Sequence, residues 1–263
     1  MKTTTISNLA VMKANGEKFA VITAYDFTFS KLIENAGIEV VLVGDSLGNV
    51  IQGCDSTIPV TIDDMAYHTA AVKRGNNRAL LITDMPFMSY ATEMQALDNA
   101  AILMQAGAQM VKLEGGAWLA DTVHLLSERG IPVCGHVGLT PQSVHKLGGY
   151  KVQGKEDQAA EQMIADAQAL EQAGAELIVV ECVPSALGKQ LSDALAIPVV
   201  GIGAGPDTDA QVLVLHDMLG ISQRLPRFSK NFLGDEVSIQ EAITAYGKAV
   251  RSGTFPAPEH CFK

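Results

Sequence analysis

Five short apolar runs of this 263-residue chain each end in a side chain that can ionise: VLVGDS at Asp45, LLITDMP at Asp84, MVKLEGG at Glu114, PVCGHVG at His136 and LIVVEC at Glu181. Carboxylates gathered in one place repel one another unless a cation or a proton lies between them, so such a set implies a divalent metal or shifted pKa values. Asp45 and Asp84 would give hard oxygen ligands of the kind Mg²⁺ accepts while keeping several waters. For either aspartate alone the plainer reading is local: Asp45 caps a turn with Ser46, and Asp84 ends its strand before Met85 and Pro86. Glu114, at the next strand end, tips the set toward a metal site.

Lys112 and Glu114 are two residues apart, so on a strand they share one face. A buried ion pair adds little that apolar packing would not. The ammonium therefore reads as a holder of a substrate carboxylate, with Glu114 orienting a metal-held water. For His136 three roles stay open: orienting substrate, holding water, or hydrogen bonding at a strand end. Glu181 follows the apolar run LIVV, and burial beside apolar groups moves a carboxyl toward the range where it works as a base near neutrality, which makes it the candidate base. Cys182 reads as packing, since nothing nearby in sequence would make it a thiolate.

These residues need elements to carry them. Apolar strand-like runs fall at 19–25, 38–45, 79–86, 109–115, 131–138, 175–182, 197–205 and 211–217, separated by helical patterns such as FTFSKLIENAG and EDQAAEQMIADAQALEQAG. Several of these patterns end in the glycine that favours a helix C-terminus. Eight β-α units predict an α/β fold, a single (β/α)8 TIM barrel spanning 1–263; a doubly wound open sheet is the competing arrangement. In the barrel all five reactive groups converge on one mouth. The chain after Asp217 differs: LPRFSKNFLGD reads as irregular and VSIQEAITAYGKAVRSG as helical. TFPAPEHCFK reads as a tail that wraps a neighbouring subunit or covers the barrel, and together 226–263 form a C-terminal helical extension. Long connections follow Asp45 (SLGNVIQGCDSTIPV) and His136 (GLTPQSVHKLGGYKVQGK), the second read as a lid. The GIGAG run, Gly201–Gly205, is equally a phosphate loop or a tight turn, and Thr61 with Asp64 reads as a helix capping box.

Composition narrows the classes. Hydrophobic residues at 48% and charged residues at 18% fit a fold that buries both strand faces and some outer helix surface, which points to an oligomer. A net charge of -10 argues against nucleic acid, which is held mainly by basic patches. The partners expected are small metabolites. Cys54, Cys134, Cys182 and Cys261 form no C-x-x-C pair and read as reduced thiols, with no zinc or disulfide framework. No apolar run approaches membrane-spanning length and the N-terminus lacks a long apolar segment, so a cytoplasmic protein is expected, neither exported nor inserted. The P-loop and dinucleotide motifs are missing.

The motifs VLVGDSLG, DSTIPVT, HTAAVKRG, DMPFMSY, MVKLEGG, PVCGHVGLTPQS, GGYKVQGK, VVECVP and GIGAG, in this order, closely resemble the ketopantoate hydroxymethyltransferase family across nearly the whole chain. The resemblance implies a (β/α)8 barrel, assembled as a homodecamer. It implies transfer of a hydroxymethyl group from 5,10-methylenetetrahydrofolate to 3-methyl-2-oxobutanoate, giving 2-dehydropantoate, the first step of pantothenate biosynthesis. It implies Mg²⁺ at Asp45 and Asp84 with Glu114 as a third acidic group, and the keto acid held by Asp45, Ser46, Asp84 and Lys112. Glu181 matches the proton acceptor and His136 a pocket histidine. Two alternatives remain. One is a metal-dependent barrel lyase of the isocitrate lyase and phosphoenolpyruvate mutase group, disfavoured because Cys134 sits in an apolar strand and not in a flexible loop. The other is a non-catalytic barrel that binds a keto acid, disfavoured because binding alone needs no poised base.

Overall fold

Apolar runs of four to six residues rich in Val, Ile and Leu are too short for helices and suit strands buried on both faces. The computed structural model describes residues 3–234 and 236–263. Met1, Lys2 and Asp235, the last residue of LPRFSKNFLGD, lie outside the described residues. The strands are β1 (Phe19–Thr23), β2 (Val40–Val43), β3 (Leu80–Asp84), β4 (Met110–Glu114), β5 (Val133–Gly138), β6 (Leu177–Glu181), β7 (Val199–Ile202) and β8 (Ala210–Leu213). Each pairs in parallel with the next and β8 returns to β1, closing the expected barrel. Seven strands lie within the runs read for them; β8 starts one residue early, at Ala210.

The eight expected β-α units need one correction, because no helix separates β7 from β8. The short link Gly203 to Asp209 turns back on itself, with Gly203 and Gly205 at positive φ (61° and 85°). Gln211 Nε2 donates to the Gly205 carbonyl at 3.0 Å and to Thr208 Oγ1 at 2.8 Å. GIGAG is thus a tight turn that leads into a strand. The late helix Ile239–Arg251 instead packs on β1 and on the helix Phe27–Ala36. It carries Tyr246, whose buried hydroxyl lies 2.8 Å from the carbonyls of both Val21 and Gln211 and shares one proton between them. The tail lies on this chain's own barrel, where the Phe262 carbonyl accepts the Ser185 N–H at 3.0 Å. The helix Ile62–Gly75 begins with the expected reciprocal cap of Thr61 and Asp64.

Alternation along the strands divides two cores. Ala20, Ile22, Val41, Val43, Val111 and Leu113 face the helices. Val21, Leu42, Ile82, Met110, Cys134 and Val179 face the barrel axis. By the same period of two, Asp84, Lys112, Glu114, His136 and Glu181 continue the inward rows at the C-terminal ends of their strands. Below Lys112 the axis is apolar, with a void of only about 10 Å³ lined by Val21, Leu42, Ile82, Cys134, Leu177, Val179, Val200 and Val212. Such a void is marginal for one water and offers none of the several polar partners a buried water needs. The floor of the site is apolar.

Candidate active site

The parallel register delivers the side chains to one level. Asp84 pairs with Lys112 across β3 and β4, Glu114 with His136 across β4 and β5, and Gly138 with Glu181 across β5 and β6. Asp45 stands two residues past the end of β2, and its backbone N–H donates to Asp84 Oδ2 at 3.0 Å. The two aspartates are neighbours at one rim. Asp45, Asp84, Lys112, Glu114 and His136 are all buried, between 3% and 5% exposed, so their charges interact with little screening by water.

One ammonium serves several carboxylates. Lys112 Nζ lies 3.1 Å from Asp84 Oδ1, 3.7 Å from Glu114 Oε1 and 3.2 Å from His136 Nδ1. Burial alone would lower its pKa, but Asp84, Glu114 and Asp45 overcome that and hold it raised. Burial, then the charges of Asp84 and Glu114, push Asp45 well above the usual carboxylate range. Burial likewise raises Asp84, against the opposing pull of Lys112. For Glu114 burial acts upward, but His136, Lys112 and the Gln142 N–H prevail and hold it low. His136 is pressed down by burial and by Lys112, yet Glu114 and Glu181 raise it to about 9. Its Nε2 is 3.4 Å from Glu181 Oε2, an ion-pair distance without hydrogen-bond geometry. Glu181 is the most open member, its side chain 13% exposed.

Three residues that sequence reasoning passed over complete the site. Gln142, on the connection after β5, donates from Nε2 to Asp45 Oδ2 at 2.8 Å and to the Met85 carbonyl at 2.9 Å, while its backbone N–H donates to Glu114 Oε2 at 3.0 Å. Tyr90 donates its hydroxyl to Gln142 Oε1 at 2.5 Å. Tyr25, just past β1, shares a 2.9 Å hydrogen bond with Ser46 Oγ. Neutral amides and phenols carry no charge pattern in sequence; the motifs DMPFMSY and PVCGHVGLTPQS contain Tyr90 and Gln142 without marking either as a site residue. Cys134 is buried below the cluster and its thiol is pushed up to about 12, mainly by burial, which leaves it a packing residue.

The donor set suits a hard divalent cation. Asp84 Oδ1 is buried without a hydrogen bond, and two adjacent carboxylates share the field of one ammonium. Among the described residues no group of three or more His, Cys, Asp or Glu side chains is closed into a metal cage. Glu114 has both oxygens engaged, by Lys112 and His136 on one and Gln142 on the other. The arrangement therefore fits an ion that takes one or two carboxylates and keeps waters, as Mg²⁺ does.

The sequence matches the model of a family described as ketopantoate hydroxymethyltransferase over residues 3–258. The chain belongs to the ketopantoate hydroxymethyltransferase family. Relatives include the 3-methyl-2-oxobutanoate hydroxymethyltransferase of Colwellia psychrerythraea, 60% identical over 260 residues that cover 98% of each chain. That of Cronobacter sakazakii is 58% identical over 263 residues, covering 100% of both. The chain is accordingly an enzyme of the family's class, a hydroxymethyltransferase of the first step of pantothenate biosynthesis acting on small molecules. Solved structures share its fold at low identity. A phosphonomutase-like protein from Burkholderia cenocepacia superposes with a TM-score of 0.63 at 14% identity, covering 82% of this chain and 95% of that one. A phosphonopyruvate hydrolase complexed with oxalate and Mg²⁺ gives 0.62 at 14%, covering 98% and 93%. The rival lyase group thus shares the architecture, while the full-length identity lies with the hydroxymethyltransferases.

Gly138 fixes where Glu181 stands. It sits at φ 93°, and a Cβ there would collide with the Glu181 carbonyl oxygen. Gly138→Ala must push the end of β6 aside as well as strain its own backbone. With Glu181 as the candidate base, such a displacement is expected to cost about 10²-fold in turnover, to be read as a fall in kcat with the far-UV circular dichroism of the parent retained.

Proposed function

We propose that Asp45 and Asp84 hold Mg²⁺, with Glu114 as the third acidic group beside it, and that Glu181 removes the C3 proton of 3-methyl-2-oxobutanoate. The observation that carries this reading is the buried adjacency of two aspartates, one with an oxygen that lacks any hydrogen bond. Mg²⁺ bound there supplies a Lewis acid for the keto oxygen. Lys112 and Ser46 bind the substrate carboxylate, the ammonium by charge and the Ser46 hydroxyl in the orientation set by Tyr25. Glu181 takes the proton from the open side of the cluster, and His136, 3.4 Å away, stabilises the carboxylate until then. The resulting carbon nucleophile takes the CH2 unit of 5,10-methylenetetrahydrofolate as both bonds from that carbon to the folate nitrogens break; one water supplies the hydroxyl group, the nitrogens take up the two protons released, and tetrahydrofolate leaves. The apolar packing beneath Lys112 limits the access of water to the site from below.

Residues 226–263 form an extension of the same domain, supported by Tyr246 bridging to β1 and β8. Assembly as a homodecamer would cover large exposed apolar side chains such as Tyr67, Met94 and Trp118. No helix among the described residues is long and apolar enough to cross a membrane, which agrees with a cytoplasmic enzyme. One incubation with 3-methyl-2-oxobutanoate, methylenetetrahydrofolate and Mg²⁺ tests the reading: ketopantoate forms with the parent and not with Asp45→Ala or Asp84→Ala. If either variant responds to Mg²⁺ as the parent does, the metal has been placed on the wrong residues.

A further inference from the structure

Gln142 is buried, 5% exposed, at the middle of the charged cluster, and no proton or substrate contact described above needs it. A long polar side chain is costly to bury unless its polar atoms are paired. Here they are, and the partners are informative. The two Nε2 hydrogens go to Asp45 Oδ2 and the Met85 carbonyl, Oε1 accepts from Tyr90, and the backbone N–H holds Glu114 Oε2. One residue thus ties together the ends of β2, β3 and β4.

The pattern on the two aspartates is the same. Oδ2 of Asp84 accepts the Asp45 N–H and Oδ2 of Asp45 accepts the Gln142 amide, while no hydrogen bond from the described residues reaches the Oδ1 of either. Each carboxylate is anchored through one oxygen by a neutral N–H donor, and the other oxygen accepts no hydrogen bond, although that of Asp84 faces the Lys112 ammonium at 3.1 Å. An amide anchors without adding charge, whereas a lysine or arginine in its place would compete with a cation for Asp45. Tyr90 fixes which way the amide points, since its hydroxyl proton requires the carbonyl oxygen on its side.

We propose that Gln142, oriented by Tyr90, is a positioning residue that sets the affinity of the Asp45 and Asp84 pair for a divalent cation. This rests on the metal reading of the preceding subsection. Partners that orient metal ligands are worth 10–100-fold in metal affinity, and Mn²⁺ takes the same carboxylate and water ligands as Mg²⁺ with a paramagnetic signal.

The test titrates the full-length protein with Mn²⁺ in the absence of either substrate, counting free ion by electron paramagnetic resonance. Gln142→Met, of similar length and unable to donate, is expected to weaken Mn²⁺ binding about 10–100-fold. Tyr90→Phe is expected to weaken it less. The double variant is expected to be no weaker than Gln142→Met alone, to within about twofold, because Tyr90 acts through the amide. Thermal unfolding of the metal-free proteins is run alongside: a lowered Tm with unchanged Mn²⁺ affinity would assign Gln142 a purely structural role and overturn the proposal. If Gln142→Met does not fold, Tyr90→Phe decides, and unaltered affinity there overturns it equally. Parent protein that fails to bind Mn²⁺, or binds it as well after Asp84→Asn, would sink the metal reading itself. Binding that needs Asp84 and ignores Gln142 sinks only this inference.

Discussion

Glu181→Gln is expected to bind 3-methyl-2-oxobutanoate as the parent does and to lose exchange of its C3 proton with deuterated water by about 10²–10⁴-fold, the span of a positioned general base. The substitution keeps the shape of a side chain at the last residue of β6, where the backbone pairs with Gly138 and Ile202 on its two sides. What it removes is the capacity to accept a proton. Binding survives because the groups assigned to the keto acid, Lys112 and Ser46, stand on other strands and loops. Following exchange by NMR without folate isolates this step from the carbon-carbon bond that comes after it. Exchange persisting at the parent rate would take Glu181 out of the role of base and leave His136, 3.4 Å from it, as the next group to examine.

Lys112→Met should cost the metal-free protein about 3–5 kcal/mol, the penalty of removing one partner from a buried set of charges. Met fills most of the same space, so the loss is electrostatic and not a cavity. Asp84 Oδ1, already without a hydrogen bond, would lose the ammonium 3.1 Å away, and Asp45 and Glu114 would lose the lysine charge that favours their ionised forms. For a chain of this size 1 kcal/mol corresponds to roughly 2–4 °C, so Tm is expected to fall by about 10 °C. Saturating Mg²⁺ should recover much of that fall, since a dication answers the same repulsion, yet activity should stay low because the substrate carboxylate has lost its cation. Equal Tm values for variant and parent without metal would show that the carboxylates do not depend on this ammonium.

The barrel was legible because its strands are continuous apolar runs, and each of those runs contained its strand apart from the one-residue offset at β8. The missing helix between β7 and β8 was not, because QVLVLHD has the same composition whether a helix or a bare turn precedes it. Asp84, Lys112, Glu114 and Glu181 stood out as candidates because each is a charge near the end of an apolar strand, and the closed barrel brings those ends to one mouth. Gln142 and Tyr90 escaped notice for the opposite reason. A glutamine in PQSVHK looks like any loop residue, and its value comes from four hydrogen bonds to strands far away in the chain. His136, for which the sequence left three roles open, stands between Glu114 and Glu181 at 3.4 Å from each.

The sealed apolar floor beneath Lys112 has a kinetic corollary. With that end of the barrel closed by apolar packing, on the proposed reading the keto acid, held at Lys112 and Ser46, is expected to bind before the folate, an order that initial-rate kinetics would check.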